Sequence, residues 1–127
     1  MVRWFKQKGY SNITATYQHS IEAVPSDIRE GVRWQKLALP DKVAAIDICE
    51  GQDWVIHTAG MVSYHHKDKY NLLEINKIGT QHLVNACLMH GVKHLVYIGS
   101  IGALGRETDH VILNENSPWL QTSFSTA

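Results

Sequence analysis

The feature that most constrains this chain is an alternation: short apolar runs of strand character, separated by stretches of helical period. Four runs qualify as strands: "NITATY" (12–17), "VRWQKLAL" (32–39), "DWVIHTA" (53–59) and "HLVYIGS" (94–100). In the first, Ile13, Ala15 and Tyr17 alternate with polar residues, the period-two pattern of a strand. The last two are apolar almost throughout, which predicts burial on both faces. Asp41 is placed to cap a short helix carrying Val43, Ala44, Ile46 and Ile48, which Gly51 ends. From Asp68 to His90, Leu72, Ile75, Gly79, Leu83, Ala86 and Cys87 fall on one stripe, and Gly91 follows. Strands parted by helices pack as a parallel sheet with helices on both faces, the α/β class.

The remaining segments say less. Residues 2–8 read as the tail of a helix, with Val2 and Phe5 three apart and Gly9 as a left-handed stop. Residues 18–31 are polar and contain Pro25, so they predict a loop with at most a helical turn. Residues 101–127 are rich in Gly, Ser and Thr and read mostly as loop. A chain of 127 residues supports one domain with a modest core.

Charge and cysteine content exclude several classes. Acidic and basic residues balance at twelve each, so no strong field draws the chain to nucleic acid or an anionic membrane. No apolar run approaches the roughly 20 residues that span a bilayer. The N-terminus, "MVRWFKQKGY", lacks the long apolar stretch of a secretory signal. Cys49 and Cys87, far apart in sequence and each in a helical segment, read as small buried hydrophobes in a reducing, cytoplasmic setting. No metal site is expected. His65 and His66 are adjacent, and His82 and His90 lack a nearby Cys or carboxylate to complete a four-ligand set.

Chemistry is expected where the strands end. In open α/β sheets a ligand lies beyond the carboxyl ends of the strands. Two of those ends are unusually small here: Thr58-Ala59-Gly60, and Gly99-Ser100-Ile101-Gly102. Small side chains let main-chain amides approach a flat or phosphorylated ligand closely. They also permit a tight strand-to-helix turn with no ligand at all, and spacing alone does not separate the two readings.

The runs "DWVIHTAGMVS" (53–63), "NKIGT" (76–80) and "GVKHLVYIGSIGALG" (91–105) resemble the middle of an extended short-chain dehydrogenase/reductase, the NAD-dependent epimerase/dehydratase superfamily. "SIGALGR" (100–106) is most similar to its dihydroflavonol-reductase-like and hydroxysteroid-dehydrogenase-like branch. The resemblance implies a Rossmann-type domain, incomplete here, that binds NAD or NADP and acts on a hydroxyl or carbonyl of a small-molecule substrate. It implies chemistry by a Ser or Thr, a Tyr and a Lys, in which Tyr exchanges a proton with the substrate oxygen. Ser100 stands at the place of the catalytic Ser. Thr58, Ala59, Gly60, Leu39, Ile98 and Gly99 match positions along the cofactor. Asn76 matches a helix Asn that fixes backbone near the site. His57 matches the pattern as a hydrogen-bonded strand residue. The resemblance further implies a homodimer through helix 68–90, and no nucleic-acid or membrane partner.

Departures from the family pattern carry expectations of their own. Its first strand and Gly-rich turn would lie before residue 1, and its Tyr-x-x-x-Lys would follow "SPWLQTSFSTA" (117–127). On that reading the chain is an internal piece, inactive as given, with cofactor binding weakened or lost. The alternatives are a non-catalytic dinucleotide-binding or sensing module, or an interaction domain that kept the sheet and lost the ligand. An Asp that commonly meets the adenine aligns with Ala38, and Gln18-His19 follow the first strand, so NAD and NADP are not distinguished. In the strand order 3-2-1-4-5-6 the first strand is central. Without it, "NITATY" and "DWVIHTA" either pair directly or leave edges that draw in another chain.

Overall fold

A computed structural model of the chain describes residues 1–100 and 114–115. In chain order the elements are α1 (Val2–Gln7), β1 (Thr14–Tyr17), a 3-10 turn (Ile21–Ala23), α2 (Ser26–Arg29), β2 (Arg33–Lys36), α3 (Lys42–Cys49) and β3 (Trp54–His57). A second 3-10 turn (His66–Asp68) leads into α4 (Lys69–Leu72), a π-helical segment (Leu73–Gly79), α5 (Thr80–Met89) and β4 (His94–Tyr97). Residues 101–113 and 116–127, read from sequence mostly as loop, lie outside the described residues, and with them most of "SIGALGR".

The local chemistry explains the boundaries. Asp41 caps α3 by accepting from the Ala44 N–H at 3.0 Å, which satisfies one of the orphan donors of the first turn. Gly9 and Gly51 follow their helices at φ +83° and +69°, conformations that cost an L-residue its Cβ clearance. The segment 18–31 holds more structure than its polarity predicts. Ser20 accepts from Glu22 N–H to start the first turn, and Arg29 donates back to the Val24 and Glu22 carbonyls. Arg3 of α1 donates to Asp27 of α2 at 3.1 Å through Nε, tying the two short helices.

The strands pair in parallel but as two separate ribbons. β1 pairs with β2 (Thr14↔Arg33 to Tyr17↔Lys36), and β3 with β4 (Trp54↔His94 to His57↔Tyr97). β1 and β3 do not pair, so direct closure, one of the two outcomes expected from sequence, is not adopted. The hydrogen bonds show which edges stay open. Ile13 and Tyr17 carbonyls accept from Arg33 and Leu37 on the β2 side, and Asp53 and His57 carbonyls accept from the β4 side. A strand residue sends its N–H and C=O the same way and its neighbour's the opposite way. Thr14, Thr16, Trp54 and Ile56 therefore turn their main-chain groups away from their partner strand.

The core lies between α3 and α5, where Ala45, Ile48, Cys49, Leu83, Ala86 and Cys87 are buried together with Leu37, Val55 and Val92 packed alongside. All four residues of β4 are exposed, as is Trp54 of β3. Burial on both faces, expected for these two strands, is not met, because the two helices that pack here share one cluster and hence one face. Near-continuous apolar character in a strand reports what the strand can bury, not what covers it. All four strands are also shorter than their sequence runs, since side-chain pattern continues past the last ladder bond.

Candidate functional site

The site expected from sequence is assembled by the register of β3 and β4. His57 pairs with Tyr97, and the Ile98 N–H donates to the His57 carbonyl at 2.9 Å. The next three residues of each strand, Thr58-Ala59-Gly60 and Ile98-Gly99-Ser100, therefore leave the same end of the ribbon side by side. All six are exposed. Neither tripeptide carries a charged side chain, so what the shelf offers is main chain, two hydroxyls and the exposed apolar side chain of Ile98.

The main chain beyond Gly60 is held from behind. Asn76, in the π-helical segment, accepts from the Met61 N–H at 2.8 Å and donates through Nδ2 to the Met61 carbonyl at 2.9 Å. A Cβ at Gly60 would lie 3.4 Å from Asn76 Oδ1, close enough that a larger side chain would press on this clamp. At Gly99 a Cβ would meet the Tyr97 ring at 3.4 Å. The π segment widens the helix by one residue per turn, a feature that recurs at functional sites. Nothing in the apolar stripe signals it.

His57 closes the strand from the helix side. It is the buried polar side chain at the end of β3, 4% exposed, and its Nε2 lies 2.9 Å from Thr80 Oγ1. Its ring also sits 5.3 Å from the ring of Tyr97, its register partner. Burial lowers the His57 pKa by penalising the imidazolium. Thr80 is a residue that sequence reasoning assigned no role. Its signal was its place at the end of the "NKIGT" run, directly after the stripe's glycine.

Leu39 is placed differently from the shelf. Its side chain is buried, and a Cβ at Gly79 would lie 2.9 Å from Leu39 Cβ. The close approach at Gly79 is made to the loop after β2. His82 reinforces that contact, with Nδ1 donating to the Pro40 carbonyl at 2.7 Å. Among the described residues, no group of three His, Cys, Asp or Glu side chains converges as a metal site. A hollow of about 210 Å³ between β2 and α3, lined by Gln35, Lys36, Ala44, Asp47 and Ile48, lies apart from the strand ends. No helix among the described residues is long and apolar enough to cross a membrane.

The sequence resembles curated proteins over about half its length. It is 34% identical over 67 residues to sterol demethylase protein B of Methylococcus capsulatus, covering 53% of this chain and 20% of that protein. It is 36% identical over 66 residues to the 3 beta-hydroxysteroid dehydrogenase/Delta 5-->4-isomerase of vaccinia virus, covering 51% and 18%. It is 34% identical over 73 residues to human 3 beta-hydroxysteroid dehydrogenase type 7, covering 54% and 20%. Each match thus spans no more than about a fifth of the relative.

Solved structures give the fold. The Bordetella bronchiseptica enzyme WbmH, solved in complex with NAD+, superimposes with a TM-score of 0.76 at 17% identity, covering 98% of this chain and 41% of that one. A mutated uronate dehydrogenase gives 0.75 at 19% identity, covering 94% and 41%. The fold is Rossmann-like α/β, and the chain spans about two fifths of each of these structures. For the branch that "SIGALGR" resembles, the relatives match on its hydroxysteroid side, and its dihydroflavonol-reductase-like character is not confirmed. The sequence profile of the 3-beta hydroxysteroid dehydrogenase/isomerase family matches residues 28–126, and the chain belongs to that family.

Proposed function

We propose that this chain is the central part of an NAD(P)-dependent oxidoreductase, with the dinucleotide lying across the shelf of Thr58-Ala59-Gly60 and Ile98-Gly99-Ser100. The observation that carries this reading is the β3–β4 register, which sets two exposed, uncharged strand ends beside each other, small at all positions but Ile98. The residues fit such a ligand. Exposed main chain approaches a flat ring at van der Waals distance only where side chains are small, and Asn76 holds the backbone beside the shelf in one place. Leu39, buried against Gly79, shapes the neighbouring loop that would flank the adenine side.

When bound, the nicotinamide supplies a hydride acceptor or donor. This chain's own residues bind and orient. The Ser100 hydroxyl donates to the reacting oxygen of a secondary alcohol or ketone, and the small side chains beside it leave that oxygen room. The names of the relatives favour a hydroxyl on a sterol or steroid ring. The proton of that oxygen is the task of a Tyr assisted by a Lys, as the family resemblance implies. No Tyr in this sequence is followed four residues later by Lys, so the roles proposed for this chain's own residues are binding and orientation. Helix 68–90, whose Asn85, Leu88 and Met89 are exposed, is the surface proposed to pair with a second copy.

Fluorescence titration with NADH and NADPH tests the reading. Weak saturable binding is expected in the wild type, lost in Gly60→Val. Equal binding by both proteins would remove the shelf from the account.

A further inference from the structure

We propose that Cys49 and Cys87 form an oxidisable pair, a site where a small disulfide oxidant installs a covalent cross-link between α3 and α5. Sequence places the two residues 38 apart, and the fold brings their Sγ atoms to 3.8 Å in the buried core. Both are free thiols, and both are buried. Fully buried Ala45 and Ala86 lie in the same cluster, so the facing helix surfaces carry little bulk between their backbones. The helices run parallel. His82 of α5 reaches Pro40, just ahead of α3, at one end, and the thiols meet near the other.

The thiols rest in their unreactive form. Burial, with the neighbouring thiol, pushes the Cys49 pKa up to about 12, and burial raises that of Cys87. Thiolate is the attacking species, so the pair is silent until the helices open locally. On opening, one Cys loses its proton and its sulfur bonds to one sulfur of the oxidant, whose other sulfur leaves as a thiol. The second Cys sulfur then displaces the attached oxidant sulfur. Two protein thiols are oxidised, the oxidant disulfide is reduced to two thiols, and the Cys protons end on those thiols. Closing the sulfurs from contact to bonding distance requires side-chain rotation toward each other.

The test is incubation of the wild-type chain with excess hydroxyethyl disulfide at sub-denaturing urea, followed by peptide mapping and thermal melting. The expected product is a monomer with a Cys49–Cys87 cross-linked peptide pair and a mass lower by the two thiol hydrogens. Its Tm rises by on the order of 10 °C, since the cross-link closes a long loop in the unfolded chain, and dithiothreitol reverses the rise. Cys87→Ala under the same treatment yields only capped Cys49 or a cross-linked dimer, with no rise in Tm. Wild-type protein that ends as single caps, as intermolecular disulfide, as unreacted thiols, or as a cross-linked form of lower Tm overturns the proposal. The wild-type comparison decides the matter even if the variant does not fold.

Discussion

Asn76 grips Met61 by both of its main-chain groups, accepting from the N–H at 2.8 Å and donating to the carbonyl at 2.9 Å. The contact spans from the middle of the π-helical segment to the chain just past the small strand end. It converts a turn that could take many shapes into one held by two hydrogen bonds in a half-buried setting.

Asn76→Ala leaves both Met61 groups without that partner and is expected to cost about 1–3 kcal/mol. Asn76→Asp keeps the acceptor, sets a carboxylate against the Met61 carbonyl, and is expected to fall no closer to wild type. Urea denaturation of the three proteins measures it. An alanine variant as stable as the wild type would mean the clamp carries no load.

Gly79 is buried against Leu39, and an added methyl would lie 2.9 Å from Leu39 Cβ. Gly79→Ala is therefore expected to destabilise by about 1–3 kcal/mol through overpacking, although in an exposed helix the same change would gain about 1 kcal/mol. In a Leu39→Ala background the clash is relieved, and Gly79→Ala becomes neutral or stabilising. A double-mutant cycle reads this coupling directly. Additive effects would show that the two residues do not press on each other.

His57 makes a prediction in pH. Burial lowers its folded pKa below the ordinary value of 6.5, so between those two values the unfolded chain holds a proton that the folded chain does not. Its contribution to stability is fully present above about pH 6.5 and is lost as pH falls toward and through the folded value. The groups facing it are the Thr80 hydroxyl and the Tyr97 ring. Unfolding free energies measured from pH 8 to pH 5 should fall more steeply for the wild type than for His57→Gln. Parallel curves would contradict the burial argument.

The open edges predict an alternation in amide exchange. Ala15, Tyr17, Val55 and His57 direct their amides at a partner strand and should be protected. Thr14, Thr16, Trp54 and Ile56 should exchange quickly. Because β1 and β3 leave these edges unpaired, the chain is also expected to self-associate with rising concentration, seen by sedimentation velocity as a growing larger species. Uniform protection in a concentration-independent monomer would show that the two ribbons close on each other.

Much of this architecture was legible where a residue's local chemistry decides the outcome. Asp41 and Gly51 bracket α3 because a cap oxygen and a left-handed φ are local requirements. The parallel order followed from strand–helix alternation, and the pairing of the two small strand ends followed from it. Contacts set by tertiary packing were not legible. The meeting of Leu39 with Gly79, the approach of Cys49 to Cys87 and the exposure of β4 each depend on which surfaces meet, and a one-dimensional stripe does not encode that. The π segment was hidden because an extra residue in one turn leaves the apolar pattern nearly unchanged. Ser100 lies where the strand ends predicted, and its catalytic role is a proposal that rests on the family resemblance.

The central claim is that the paired ends of β3 and β4 form a dinucleotide shelf. The most direct measurement is an NMR titration of the isotopically labelled chain with NAD+ and with NADP+ to millimolar concentration. The account predicts saturable amide shifts concentrated at Thr58, Ala59, Gly60, Ile98, Gly99 and Ser100, with smaller ones at Met61 and Asn76. Absence of shifts with either cofactor, or shifts confined to the hollow lined by Gln35, Lys36 and Asp47, would contradict it.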